Sequence, residues 1–346
     1  MPEGNSLNPW GMLSIILRND YTLEETWTSF QGGTFRDEMS ISESAENLFS
    51  TLIFAERMIM TQSVTMDQEF LSDQYPPLFI RQITPQSWHA QLIFLHASTV
   101  HSEYYLPLAL KWAQEGIRVI LPDLRGHGRS SGPRGHVQNF RQYLKDIQRI
   151  YTLMQDQYPD PTFVGGESYG ALLAYLICTQ NQANLKGGIL IAPSFGLYFN
   201  PPSWVQYLMK QALHPIWPRL RPILPLPVEG VARNPNITHL IERDRNANRH
   251  YTLGFLVSLW QAQEQVQKEP LPAVPLLTLL SAEDGITRND CTEQVLKNHP
   301  DKIVRYHYAS GHSLVADQPE FVLKESMEWM RKHIKALSSD APVMTS

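Results

Sequence analysis

The segment Gly165-Gly166-Glu167-Ser168-Tyr169-Gly170-Ala171 constrains this chain more than any other. It joins a short apolar run, 162–164, to a helix-like run from Leu172 to Cys178. A bare G-x-S-x-G pattern arises by chance. Set between a strand and a helix, it describes a sharp turn that projects a serine hydroxyl from the edge of a sheet. Such a turn holds the serine in a strained backbone conformation. Gly166 and Gly170, two places either side, let strand and helix approach closely. The helix N-terminus adds partial positive charge where an oxyanion would develop. Ser168 is therefore the candidate nucleophile.

The surrounding sequence alternates short apolar runs with helical patterns. Strands are expected at 91–95, 118–121, 162–164, 188–191, 276–280 and 303–308. Near-continuous apolar runs of this length fit strands covered on both faces, as in a parallel sheet. Phe140, Tyr143, Leu144, Ile147, Ile150, Tyr151 and Met154 recur at helical spacing. The pattern predicts an α/β fold with a mostly parallel, doubly wound sheet. Two stretches break the alternation. Residues 1–75 precede the first convincing strand and contain one plausible amphipathic helix at 45–60. The stretch 196–269 is too long for a loop and rich in bulky apolar groups, among them Tyr198, Phe199, Trp204, Tyr207, Leu208, Ile216, Trp217, Leu220, Ile223 and Leu224. It reads as an inserted helical cap that packs on itself and lines an apolar substrate pocket. The expected organisation is an N-terminal extension over 1–75, a core over 76–195 and 270–337, the cap over 196–269, and a tail over 338–346.

A serine hydroxyl needs a base, and in a sheet of this kind acid and histidine follow the nucleophile on loops after later strands. The run 303–308 leads into Ala309-Ser310-Gly311-His312, which makes His312 the candidate base. His307, inside the strand, and His333, on the last helix, fit less well. The run 276–280 leads into Ser281-Ala282-Glu283-Asp284-Gly285. Asp284 is the first choice for the acid, with Glu283 and Asp290 as alternatives. An oxyanion hole needs two backbone donors, expected from Tyr169, after the nucleophile, and from Ser98, in the turn His96-Ala97-Ser98-Thr99 after the first apolar run.

Composition excludes some classes. With 29 basic against 34 acidic residues mixed along 346, nucleic acid is not an expected partner. Cys178 and Cys291 make no disulfide framework and are compatible with a reducing compartment. No secretory signal pattern opens the sequence, and no apolar stretch of about 18 residues offers a membrane span. The expected location is cytoplasmic, with peripheral membrane contact through the cap or the N-terminal helix. His101, His127 and His136 do not have zinc-site spacing. Neither cofactor nor metal is expected.

Together with the elbow, the segment Asp123-Leu124-Arg125-Gly126-His127-Gly128-Arg129-Ser130-Ser131-Gly132 resembles the D-x-R-G-H-G-x-S-x-G motif of the monoacylglycerol lipase and lysophospholipase branch of the α/β-hydrolases, often grouped with serine aminopeptidase-like hydrolases. Phe140 and the Tyr143 to Asp146 helix follow as in that branch, and the resemblance covers roughly 76–337. It implies an α/β-hydrolase fold, a triad of Ser168, Asp284 and His312, and oxyanion donors at Ser98 and Tyr169. The implied substrate is a single-chain lipid ester. The sequence departs from the family pattern at Ala97 and Ser281, where glycine is usual, and in its N-terminal extension. Two other readings stay open. One is an amidase or aminopeptidase that would use Glu229, Glu242 or Asp244 to hold a free amine; the other is a catalytically silent binding protein.

Overall fold

The computed structural model describes residues 64–72, 76–180, 182–221 and 230–339. The expected helix at 45–60, the tail beyond 339, and Ile223, Leu224 and Glu229 lie outside the described residues. Eight strands form one sheet: β1 (Val64–Leu71), β2 (Leu78–Pro85), β3 (Ala90–Leu95), β4 (Ile117–Pro122), β5 (Thr162–Glu167), β6 (Leu185–Ile191), β7 (Leu276–Ser281) and β8 (Lys302–His307). Their order is β1-β2-β4-β3-β5-β6-β7-β8. β2 runs antiparallel to β4, and the pairs from β4 across to β8 are parallel. This is the α/β-hydrolase arrangement the sequence predicts.

Every residue of β3, β4, β5 and β7 is buried, as strands covered on both faces require. Alternation along β3 shows the two layers. Ile93 and Leu95 join the apolar cluster of α2 (Arg141–Gln157) and α3 (Tyr169–Cys178). Phe94, between them, meets Trp112 of α1 (Leu106–Gln114) at a ring separation of 5.1 Å. α3 has no polar face because it packs on β5, β6 and β3 below and on a helix of the β6–β7 insert above.

Two strands were missed in the sequence. β1 lies ahead of residue 76, where the sequence reading starts the core, and its mostly exposed Thr65-Met66-Asp67-Gln68-Glu69 has no apolar run to find. β2 carries Arg81 and Gln82, yet both are buried. The Arg81 guanidinium is paired with Glu103 and Asp123. A charge inside a strand interrupts the pattern in sequence, and only its tertiary partners make the burial tolerable.

Between β6 and β7 lie α4 (Ser203–Leu208), a π-type turn (Met209–Leu213), α5 (Pro235–Arg243) and α6 (Leu253–Val266). α6 is capped by Thr252, whose hydroxyl accepts the Phe255 N–H at 3.3 Å, and it packs against α3. The aromatic residues ahead of it behave otherwise than expected. Phe199 packs against the core, but Trp204 is 71% exposed, Tyr207 68% and Trp217 58%. α7 (Asn289–Leu296) joins β7 to β8, α8 (Leu314–Asp317) and α9 (Pro319–Ser339) follow β8, and α9 packs on β6 and β7. Among the described residues, no helix is long and apolar enough to cross a membrane.

Candidate active site

The parallel strands end at one edge of the sheet, where open α/β sheets carry their ligands. β5 ends at Glu167, and the next residue, Ser168, has φ 55° and ψ −113° before α3 begins at Tyr169. A positive φ strains any side-chain-bearing residue, and the surroundings hold it there. The Ser168 N–H donates to Ile191 O at 2.8 Å, and the Ser168 carbonyl accepts the Ser194 N–H at 3.1 Å. A Cβ on Gly170 would lie 2.2 Å from the Leu95 carbonyl oxygen, and one on Gly166 would lie 2.5 Å from the Gly170 carbonyl carbon. The two glycines of the motif are thus demanded by backbone on backbone, which has no flexible side chain to yield. Gly170→Ala is expected to lose several kcal/mol of stability, the range of severe backbone overlap. A chemical denaturation midpoint unchanged from wild type would contradict this.

His312 sits in the loop between β8 and α8. Its Nδ1 lies 2.8 Å from Asp284 Oδ2 and its Nε2 lies 2.9 Å from Ser168 Oγ. A carboxylate can only accept, so Nδ1 carries the proton and Nε2 is left to accept the serine O–H. Asp284, in the loop after β7, is pinned on all sides. Its Oδ1 accepts the N–H groups of Ile286 and Thr287, each at 2.8 Å, and its Oδ2 accepts the Thr287 hydroxyl at 2.5 Å. Burial opposes charge on Asp284, but the His312 imidazolium and these hydrogen bonds outweigh it and hold its carboxyl below the ordinary range. Burial likewise opposes charge on His312, and the Asp284 and Glu167 carboxylates outweigh it and raise its pKa above 6.5. The structure brings Ser168, His312 and Asp284 into one hydrogen-bonded line. Glu283 instead pairs with Arg233 at the surface, and Asp290 pairs with Arg288 at 2.5 Å, also exposed.

β3 and β5 pair in register, with Leu95 opposite Gly166, so the loops after them leave the sheet side by side. Tyr169 is the first residue of α3, where helix N–H groups have no intrahelical acceptor. Among the described residues, the Ser98 N–H donates to no protein acceptor, whereas the neighbouring Ala97 N–H is taken by the Tyr105 hydroxyl at 3.1 Å. Ala97 is not among the positive-φ residues, so alanine at this family glycine position carries no backbone strain. His96 braces the loop: it is buried, its Nδ1–H donates to Ala97 O at 2.7 Å, and its Nε2 accepts the Leu124 N–H at 2.9 Å. Burial lowers its pKa to about 4, which suits that neutral form. His127 is also structural, buried with Nδ1 on Arg125 O at 3.0 Å, while Arg125 forks onto Asp146 at 2.6 Å.

Sequence reasoning missed four side chains of the site. Ser194 Oγ lies 3.2 Å from Ser168 Oγ. Thr287 holds Asp284, and Ser313, beside His312, donates to Glu167. Glu167 itself is the last residue of β5, directly before Ser168. The one available signal was its charge at the end of an apolar strand; the rest meet the site through folding alone. Among the described residues, no group of three or more His, Cys, Asp or Glu could hold a metal ion. The arrangement can deprotonate Ser168, stabilise the resulting imidazolium, and offer backbone donors to a developing oxyanion.

Comparison with known proteins agrees with this frame. The family model described as serine aminopeptidase, S33, matches residues 86–319. The chain is 26% identical to Homo sapiens monoglyceride lipase over 77% of this chain and 90% of that one. It is also 26% identical to an uncharacterized abhydrolase domain-containing protein of Dictyostelium discoideum, over 82% of this chain but only 30% of the longer relative. The crystal structure of a soluble variant of Saccharomyces cerevisiae monoglyceride lipase superposes with a TM-score of 0.69 at 16% identity, over 79% of this chain and 97% of that one.

Proposed function

This chain belongs to the serine aminopeptidase S33 family of hydrolases and is an ester hydrolase of its monoacylglycerol lipase-like branch; on that premise we propose that it cleaves single-chain lipid esters through an acyl-enzyme on Ser168. The observation that carries the proposal is the placement of His312, 2.9 Å from Ser168 Oγ and 2.8 Å from Asp284. His312 takes the serine proton as Oγ attacks the ester carbonyl, then gives it to the leaving alcohol. It next activates water to release the acid, and Asp284 steadies the imidazolium in each step. The backbone N–H groups of Ser98 and Tyr169 receive the oxyanion.

The substrate is a monoacylglycerol or a lysophospholipid. The curated human relative bears the name monoglyceride lipase, and a Bacillus subtilis relative that of a phospholipase. The aminopeptidase reading has little support from the described carboxylates. Asp244 Oδ2 accepts from His101 Nε2 at 2.7 Å and Tyr104 at 3.1 Å, and its Oδ1 from the Asn246 N–H at 2.7 Å, so it has little capacity for a substrate amine. Glu242 is at the surface against His239. Hydrolysis rates on monoacylglycerols, lysophospholipids, acetyl esters and aminoacyl arylamides test the assignment. The lipids should turn over fastest, and acetyl esters or arylamides in first place would overturn it.

The insert between β6 and β7 serves as the cap. Its exposed Trp204, Tyr207, Ile216 and Trp217 form the surface that meets aggregated lipid, since water-facing aromatics at this density mark interaction sites. Trp204→Ala with Tyr207→Ala is expected to weaken sedimentation with phosphatidylcholine vesicles about tenfold, as loss of roughly 1–2 kcal/mol of apolar burial requires. Hydrolysis of a soluble short-chain ester should stay within about twofold. Unchanged vesicle binding would remove the membrane role from this face.

A further inference from the structure

Acyl transfer as described makes no use of Glu167, although it directly precedes Ser168 and is 3% exposed. Its carboxylate receives hydrogen bonds from two other segments. Tyr105 O–H donates to Oε2 at 2.8 Å, Ser313 O–H donates at 3.0 and 3.1 Å, and Val315 N–H donates to Oε1 at 3.1 Å. The directions follow from the donors' other partners. Tyr105 Oη already accepts the Ala97 N–H at 3.1 Å, and Ser313 Oγ accepts the Ala316 N–H at 3.2 Å, so both hydroxyl protons point at Glu167. Three donors and no acceptor around a buried carboxyl describe its ionised form.

We propose that Glu167 is a positioning residue that ties the oxyanion loop at Ala97, the Ser168 elbow and the His312 loop into one unit, and that its charge helps stabilise the His312 imidazolium. The inference rests on the reading of Ser168 and His312 given above. The family's usual glycine is Ala97, and here the loop is held through the chain Ala97 N–H to Tyr105 O–H to Glu167. Two carboxylates act electrostatically on His312, Asp284 from the loop after β7 and Glu167 from the end of β5. Burial pushes the Glu167 carboxyl above the ordinary range, and the His312 charge, followed by the hydrogen bonds from Tyr105, Val315 and Ser313, pulls the other way and favours its ionised form. Each acyl-transfer step creates positive charge on His312, so a second buried anion lowers the barrier and shifts the free-enzyme ionisation in the same direction.

The test uses the full chain, a soluble p-nitrophenyl butyrate assay, and active sites counted with a fluorophosphonate. Glu167→Gln keeps the shape and removes the charge. It should lower kcat about three- to thirtyfold and move the acid limb of kcat/KM down by roughly half to one pH unit, because neutral imidazole persists to lower pH. Tyr105→Phe leaves the carboxylate and cuts the tie to Ala97. It should lower kcat about tenfold with KM within roughly threefold and the acid limb nearly unmoved. A merely structural Glu167 would reduce the count of labelled sites and leave the limb in place. A Glu167→Gln profile superimposed on wild type, per labelled site, overturns the inference while the reading of Ser168 stands. Unlabelled wild type overturns both. Should Glu167→Gln fail to accumulate, Tyr105→Phe decides, and a kcat equal to wild type overturns the tie.

Discussion

Ser168→Ala is expected to lower kcat by about five to six orders of magnitude and to abolish labelling by a fluorophosphonate, with the fold intact. The scale follows from the cooperation of the three side chains, in which loss of the nucleophile alone removes nearly all of their joint effect. The remaining rate over water comes from backbone donors and substrate positioning. The alanine fits the site without collapse. Ser168 already occupies φ 55°, which alanine tolerates about as well as serine, and its backbone bonds to Ile191 and Ser194 do not involve the hydroxyl. His312 Nε2 would lose its Oγ partner, and Ser194 its 3.2 Å neighbour. Labelling that survives in Ser168→Ala would transfer the nucleophilic role to another serine, Ser194 first. No labelling of the wild type would favour the silent binding protein.

Asp284→Asn should cost about four orders of magnitude in kcat for a different reason. Asp284 Oδ1 accepts two backbone N–H groups, from Ile286 and Thr287. An asparagine must place its carbonyl oxygen there, since an NH2 group in that position would face two donors. The amide nitrogen is then forced to the position of Oδ2, 2.8 Å from His312 Nδ1. It can only donate, so Nδ1 becomes the acceptor and Nε2 carries the proton. A histidine in that tautomer cannot accept the Ser168 proton. Glu283→Gln is the matched control. It breaks a surface pair with Arg233 and should change kcat by no more than about twofold. An active Asp284→Asn beside an inactive Glu283→Gln would exchange the two roles.

Much of the frame was legible because it depends on local pattern. Mostly apolar runs marked six of the eight strands, because strands covered on both faces are largely apolar; β8, at the edge of the sheet, is only partly buried. The elbow was legible for a steric reason, since Gly166 and Gly170 meet backbone atoms that nothing can move aside. β2 was not legible, because Arg81 looks like a surface residue until Glu103 and Asp123 are seen beside it. The exposed aromatics of the insert also escaped the reading. Apolar content in sequence does not reveal whether Trp204 turns toward the protein or toward water.

By itself, the sequence determined the α/β alternation, the strained serine turn, and which loops had to carry an acid and a base. Tertiary structure alone decided which carboxylate reaches His312, that Ser194 lies against Ser168, and that Glu167 joins three loops. The reason is physical. Apolar periodicity and glycine sterics act within a few residues of chain, whereas the hydrogen bond from Ser168 to His312 spans 144 residues and that from Ser313 to Glu167 spans 146. Contacts at such separation are set by strand order and register, which no single segment encodes.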